Sequence, residues 1–542
     1  MASNEQQPLL GASRIRSRSH DSSNISGNQQ TYNADSDSSA GAWWASRSRD
    51  VLSLFTVLLL LGAGLGIWVY GTLPTSDHDE HPHEYALSTA RIHEHLERLE
   101  DIAGQHNGSR SVATGHAASA DYVVAQLRAH GNCDVHVQRF KSPVWTVNGE
   151  PRLSVRAPVR VDFIHEADFG VMRYGGNGAN IADAPVAVVG AACAAADVGD
   201  VSGKVAIARA SSHCTAFEAA FLLEQLGARA VVFVRAARYT APSRARVRIV
   251  DWKEGDPLMT VPVLSVTHSA GQLLEGADGV RVSIATDTRI DVVETRNVVC
   301  VGSTGDAAHT VLVGAHLDSV AAGPGINDNG SGAATALEIH LTLARIRFRP
   351  NSRLVFAWWG AEEDGLLGSR HFARVLAHGW KNRWTDREPI PVRWSDIALN
   401  LNFDMLASPN YIALVHNGTD ASQAARAGSQ RIQRVFEDYF ARHEFPYQLT
   451  DMRGGSDFLP FIENGVPAGG VLAGASEIKS IDERRKRGGM ARTPLDPCYH
   501  RECDTLLNIN LEALQRLSRA AMYAVSTLAT TPDLRGYLAG NA

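Results

Sequence analysis

The chain has 542 residues, too many for one ordinary domain, so two or three folded units plus tails are expected. Hydrophobic residues make up 44% and charged residues 20%, the balance of a soluble globular protein. A formal net charge of -6 argues against a nucleic-acid partner, because phosphate binding wants a basic face.

Residues 1–49 are rich in Ser, Asn, Gln and Gly and lack aliphatic periodicity, which predicts a disordered tail. Near its tip, Glu5-Gln6-Gln7-Pro8-Leu9-Leu10 resembles an acidic dileucine motif of the kind read by sorting adaptors, with Glu5, Leu9 and Leu10 as the contacts. From Val51 to Leu73 the chain is uncharged and apolar, long enough to cross a hydrocarbon core of about 30 Å as a helix. A cleaved signal peptide would have a shorter apolar core close to the N-terminus, so a retained signal anchor is expected. Arg14, Arg16, Arg18, Arg47 and Arg49 precede this span, and Asp77, Asp79 and Glu80 follow it. The positive flank stays cytoplasmic, which predicts a single-pass type II protein with its large C-terminal part in a lumen. The sorting motif points to a vacuolar or lysosomal membrane, with the secretory pathway or cell surface as second choice. In that compartment Asn107-Gly-Ser and Asn417-Gly-Thr are usable glycosylation sequons, whereas Asn24-Ile-Ser would stay bare.

Residues 74–85 read as a charged linker, and 86–157 as the first part of a folded unit. Leu87–Ile102 and Ala117–His130 have helical periodicity. From 158 to 287 come short β-branched runs at 186–190, 204–210, 228–236 and 260–266, with one clear helix at Ala216–Leu226. This stretch reads as an inserted β-rich domain. Its segment 193–236, with Cys193, VSGKVAIARA, Cys214 and GARAVVFV, resembles a protease-associated domain. The resemblance implies a local Cys193–Cys214 disulfide and a role in substrate access or protein interaction.

From 288 to 535 strands and helices alternate, with strands at 296–302 and 310–318 and a helix at 330–346. Continuous apolar strands bounded by helices predict an α/β fold, a mixed sheet covered on both faces, with chemistry at the C-terminal strand ends. VGAHLDS puts His316 and Asp318 at such an end. A metal-binding imidazole needs an acceptor on its second nitrogen, and Asp318 can supply one. Asp328 follows in a glycine-bearing turn, Gly325-Ile326-Asn327-Asp328-Asn329-Gly330, and its two oxygens could bridge two metals. FAWWGAEEDG ends a strand with Glu362 and Glu363; one can bind metal while its neighbour stays free as a general base. NLNFDML offers Asp404, and Cys498-Tyr499-His500-Arg501-Glu502-Cys503 sets His500 inside a loop that a Cys498–Cys503 disulfide would close. No CxxC pair exists, so a thiolate zinc site is not expected, and whether Cys133 pairs with Cys300 stays open.

The strings HLDS, GINDNGSG, GAEEDGLLGS, NFDM, GSDFLPFIENGVPAGGVLAGA and CYHRECDT, in this order, are similar to the twenty-eighth metallopeptidase family, in its aminopeptidase Y and secreted bacterial leucine aminopeptidase branch. The likeness covers about 295–530 plus the helices near 86–140. It implies a zinc-exopeptidase fold and two Zn2+ per chain. His316 and Asp404 would hold one ion, Glu363 and His500 the other, and Asp328 would bridge them. Glu362 would be the catalytic base, Tyr499 would steady the oxyanion, and the free α-amino group of a peptide substrate would sit against Asp404 and Glu362. Secreted relatives often carry an arginine where Gly455 stands, so the pocket beside the site is expected to differ. Three other activities share parts of this pattern. A dead receptor-like homologue would lack metal ligands, a glutaminyl cyclase would lack the two-metal set, and an anchored glutamate-releasing carboxypeptidase would continue into a long helical domain after its last histidine.

Overall fold

The computed structural model describes residues 83–540 except 277, 386 and 388. The predicted tail, sorting motif, membrane span and most of the linker lie outside the described residues. Among those described, no helix is long and apolar enough to cross a membrane.

Helices α1 (Thr89–Gln105) and α2 (His116–His130) lead into a long strand β1 (Cys133–Val147). Strands β2 (Arg152–Ala157), β3 (Val161–Asp162), β4 (Phe169–Val171), β5 (Asn180–Gly190) and β6 (Val205–Arg209) follow, then α3 (Ala216–Gln225), β7 (Ala230–Val234), β8 (Val263–Val266), α4 (His268–Glu275) and β9 (Arg281–Ala285). The chain then returns along β10 (Thr288–Gly302), β11 (Asp306–His316), α5 (Gly332–Arg345), β12 (Ser352–Trp359), α6 (Leu367–His378) and β13 (Ile397–Asn402). The last part holds β14 (Ala413–His416), α7 (Arg426–Arg442), β15 (Tyr447–Thr450), β16 (Ala468–Gly469), β17 (Val471–Leu472) and α8 (Leu511–Thr530).

Among the described residues the strands form three sheets. A mixed six-stranded sheet runs β1-β10-β12-β11-β13-β16, an eight-stranded sheet runs β3-β2-β9-β5-β6-β7-β8-β4, and a small one runs β15-β14-β17. In the first sheet β12, β11, β13 and β16 are parallel. Its strands alternate between two cores, as the two-residue period of a strand demands. Val298, Val311 and Phe356 face α1, α2, α5, α7 and α8, whereas Val299, Leu312 and Val355 pack with Phe372 and Phe461. Apolar burial on both faces therefore drives the layering.

The antiparallel ribbon β1–β10, in register from Cys133↔Gly302 to Val147↔Thr288, carries both chain crossings between the two large sheets. Residues 152–157 were expected in the first part of the peptidase unit. They form β2, which pairs with β3 and β9 in the eight-stranded sheet, and Leu153 and Val155 are in its core. That unit thus begins before 158, because the alternation of this strand is completed by β9 and not by the ribbon. It also has a second helix, α4, where one was expected. Gly271 inside α4 lies directly against Val234, a close approach that needs the missing Cβ.

Candidate active site

The parallel strands β11, β12 and β13 end on one edge, and the candidate residues collect there. His316 is the last residue of β11. Glu362 and Glu363 lie in the loop after β12, and Asp404 follows β13 by two residues. Asp328 sits in the turn before α5, after Gly325 with a φ of 63°. His500 has a φ of 59° in a loop closed by the Cys498–Cys503 disulfide. A non-glycine residue in the left-handed region costs about 1–2 kcal/mol.

Asp328 stands between the two histidines. Its Oδ1 is 3.3 Å from His316 Nε2, and its Oδ2 is 3.1 Å from His500 Nε2. Asp404 Oδ1 is 3.3 Å from His316 Nε2, and Glu363 Oε2 is 3.2 Å from His500 Nε2. Two sets result, His316–Asp328–Asp404 and Asp328–Glu363–His500, each with ligand atoms within 4.8 Å of one another. Glu362 Oε2 belongs to neither and lies 4.0 Å from His316 Nε2. Donor atoms about 2.0–2.1 Å from a tetrahedral zinc lie roughly 3.3 Å apart, the spacing of these imidazole–carboxylate pairs. Glu363 Oε1 and Asp404 Oδ1 are buried and have no hydrogen-bond partner, which a cation would relieve. The residues therefore fit a pair of divalent metal ions.

The electrostatics point the same way. Burial pushes Glu362 well above the ordinary carboxylate range, and Glu363, Asp457 and Asp404 add to that against the opposing pull of His316. Burial raises Asp318 to about 8 and Asp457 to about 7. Asp328 goes the other way. Burial would raise it, but hydrogen bonds from His316 and His500 outweigh that and hold it below the usual range. Crowded carboxylates of this kind mark functional sites, and metal charge is the usual remedy for their repulsion.

The sequence pattern of peptidase family M28 matches residues 297–525. An aminopeptidase of Pseudomonas aeruginosa is 33% identical over 455 residues, covering 82% of this chain and 81% of that protein. The chain belongs to peptidase family M28. A probable leucine aminopeptidase 2 of Aspergillus fumigatus is 32% identical and spans 81% of this chain and 83% of its own length. Among solved structures, an aminopeptidase from Aneurinibacillus sp. strain AM-1 has a TM-score of 0.62 at 19% identity, covering 84% of this chain and 96% of that one. A zinc aminopeptidase from Bacillus subtilis has a TM-score of 0.54 at 20% identity, with coverages of 82% and 96%. At such identities these two speak for the fold alone. As an M28 member the chain is a peptide hydrolase with a mixed α/β architecture.

Within this M28 site, Asp318 differs in detail from the expectation. The acceptor nearest His316 Nδ1 is the main-chain carbonyl of Asp318, at 3.1 Å. Its carboxylate is 3.8 Å from the ring and instead accepts the amides of Glu362 at 3.1 Å and Glu363 at 3.3 Å. Tyr499 stacks on His500, ring centroids 3.8 Å apart. All six cysteines are paired: Cys193–Cys214, Cys498–Cys503 and, where sequence left the question open, Cys133–Cys300. Gly455 has a φ of 99°, a conformation that residues with a side chain rarely adopt, and Arg453 is exposed and paired with Asp451. No arginine of this loop thus reaches the site from either position.

Four supporting residues escaped the sequence reading. Asp504 accepts the amides of Asn327 at 2.9 Å and Asp328 at 3.0 Å, fixing the bridging turn. Ser456 donates to Asp404 Oδ2 at 2.7 Å, and neighbouring Asp457 is buried with one oxygen unpartnered. Arg110 is fully buried and donates to the carbonyls of Leu317, Pro324 (2.8 Å) and Gly325 (2.5 Å). Asp504 and Asp457 lie inside the family strings, whereas Arg110 directly follows the Asn107 sequon, where nothing local announces its role.

Proposed function

We propose that this M28 hydrolase is a two-zinc aminopeptidase that removes the N-terminal residue of peptides. The observation that carries the reading is the sharing of Asp328, one oxygen to each of two ligand sets. His316 and Asp404 would hold one ion and Glu363 and His500 the other, with Asp328 between them. Bound zinc supplies Lewis acidity, polarising a carbonyl and acidifying water. The remaining work falls to side chains. Glu362, kept out of both ligand sets and raised by burial, suits a base that accepts a proton at its carboxylate and returns it to the leaving amine. Asp318 fixes both glutamates through their amides. The Tyr499 hydroxyl serves as donor to the developing oxyanion. Asp404 and Glu362 offer carboxylates to the substrate's α-ammonium group. Names of the relatives support an aminopeptidase: those of Pseudomonas aeruginosa and Aspergillus fumigatus carry that activity in their descriptions.

We infer a placement in the cell as well. The apolar span 51–73 anchors the chain with its catalytic part in a vacuolar or lysosomal lumen, and the Glu5–Leu10 motif recruits the sorting adaptor. Exposed Asn107 is the better placed glycosylation acceptor, since Asn417 Oδ1 is engaged by Thr419. The β-rich unit is a protease-associated domain in this reading.

An assay on amino-acid arylamides, with metal analysis, tests the core of the proposal. Activity abolished by a chelator, restored by zinc, and close to two zinc ions per chain is the expected result. One ion or none in the active protein excludes the two-metal arrangement.

A further inference from the structure

The loop that carries Glu362 and Glu363 is held from two sides. Its amides are taken by Asp318, two residues past the end of β11. Its carbonyls are taken by arginines of the eight-stranded unit. Arg246 donates to the Glu363 carbonyl at 2.5 Å, and Arg173 donates to the same oxygen at 3.3 Å. Arg248 donates to the Asp364 carbonyl. Tyr174 donates its hydroxyl to Asp364 Oδ1 at 2.5 Å, and the guanidinium of Arg248 lies 5.0 Å over its ring.

These donors are themselves assembled. A β-bridge joins Arg173 to Arg246, and the Val247 amide bonds the Arg173 carbonyl at 2.7 Å. Tyr174 and Arg248 are buried, and Gly365 lies so close to Arg248 that a Cβ there would collide with its guanidinium. Charge-assisted bonds to a carbonyl are stronger than neutral ones, so three of them converging on two successive peptide groups fix the loop firmly. None of these four side chains is a candidate ligand or proton carrier. The arginines can act on the reaction only through the backbone of Glu363 and Asp364, and Tyr174 only through the Asp364 carboxylate, and so through the direction of the Glu362 and Glu363 side chains.

We propose that Arg173, Tyr174, Arg246 and Arg248 are positioning residues of the hydrolytic site, so that the inserted unit completes the geometry of the Glu362–Glu363 loop. The inference rests on the zinc-aminopeptidase reading for its substrate and metal. Second-layer contacts to metal ligands typically contribute about 10–100-fold in activity or metal affinity, and that is the effect expected here.

The test uses the full chain with Arg246→Ala, Arg248→Lys and Tyr174→Phe, and Arg244→Ala as control. Arg244 is exposed and donates to Glu166 of the same unit rather than to the loop. For Arg246→Ala, kcat on an amino-acid arylamide should fall ~10–100-fold with KM within about twofold, because an interaction that shapes the reacting groups is lost while substrate binding is kept. Millimolar guanidinium should restore part of that activity, and the melting temperature should stay at the wild-type value because Arg246 is exposed. Zinc retention against a chelator should weaken in parallel, since Glu363 is loosened. Should Arg248→Lys not fold, Arg246→Ala decides alone. Unchanged kcat and zinc retention in Arg246→Ala would overturn the proposal and leave the arginines as domain adhesive. A wild-type chain that hydrolyses no arylamide would instead refute the aminopeptidase reading, and zinc retention would still report on the positioning role.

Discussion

The six-stranded sheet ends in two imidazoles and four carboxylates along one edge, two of their oxygens buried and unpartnered. The eight-stranded sheet instead closes over Leu153, Val232, Leu264 and Ile284 and carries none of these groups; its unit touches the site through Arg173, Tyr174, Arg246 and Arg248. Both units bury apolar residues on the faces of mixed sheets, so the hydrophobic effect alone does not separate them. The difference is that one accepts a large desolvation cost at its strand ends. Such a cost is retained only where a ligand or a reaction repays it. Changes at that edge should therefore act on chemistry first, and changes in the second sheet on stability first.

Glu362→Gln gives the largest expected effect. It keeps the shape of the side chain and removes its proton chemistry, so kcat should fall by about 10^3-fold while zinc content and melting temperature hold. Retained activity would show that the base is another group; lost zinc would show that Glu362 is a ligand. On the other side of the comparison, Leu264→Ala opens a cavity in the inserted core. It should cost about 3 kcal/mol in unfolding free energy, with kcat per folded molecule unchanged. Denaturant melts and active-site titration separate the two quantities, and a parallel loss of kcat would erase the distinction between the units.

The disulfides sharpen the contrast further. Cys498→Ser with Cys503→Ser frees the loop carrying His500, and closing so short a loop contributes only about 2 kcal/mol to stability. The visible loss should be weaker zinc retention, by about 10–100-fold. Cys193→Ser with Cys214→Ser should lower the stability of the inserted unit and leave zinc retention alone. Equal zinc loss in both pairs would mean that the Cys498–Cys503 loop has no special hold on His500.

Much of the candidate site was legible because His316, Glu362, Glu363 and Asp404 lie on short strings at strand ends, where an apolar run stops at a charged residue, and Asp328 and His500 lie in the family strings. The helices at 89–105 and 116–130 were legible for the same local reason, a period of 3.6 over several turns. What holds these residues in place was not. Arg110 bonds Leu317 and Gly325, and Arg246 bonds Glu363, across separations of more than a hundred residues. No periodicity encodes such contacts. The third sheet was missed because its strands ALVH, YQLT and VL are too short to show alternation. The six-residue shift at 152–157 arose because a strand's sequence shows which face is apolar but not which sheet supplies its partner.

Acid gives the smallest of these effects and divides the units by histidine burial. None of the three histidines of the inserted unit, His165, His213 and His268, is buried. In the peptidase unit His340 is buried between Phe356 and the sulfur of Cys300, 3.4 Å from its Nε2, and burial lowers it to about 4. An unfolded histidine titrates near 6.5, so below that pH the unfolded chain takes up a proton that the folded chain refuses. Stability from this group is therefore full above 6.5, falls as pH drops towards 4, and levels off below. The slope is about 1.4 kcal/mol per pH unit, or on the order of 2 kcal/mol between pH 6.5 and 5. His116 and His371, lowered to about 3, and His416, lowered to about 4, act with the same sign. The buried carboxyls of Asp318, Asp457 and Asp504 are raised and act oppositely, but they are common to wild type and a His340 variant and cancel in the difference. His340→Gln should thus be less stable than wild type at pH 7 and gain on it by on the order of 2 kcal/mol at pH 5. Chemical denaturation at the two pH values measures this directly; an unchanged gap would mean that His340 is protonated in the folded chain and that its burial is not what sets the acid limit of the peptidase unit.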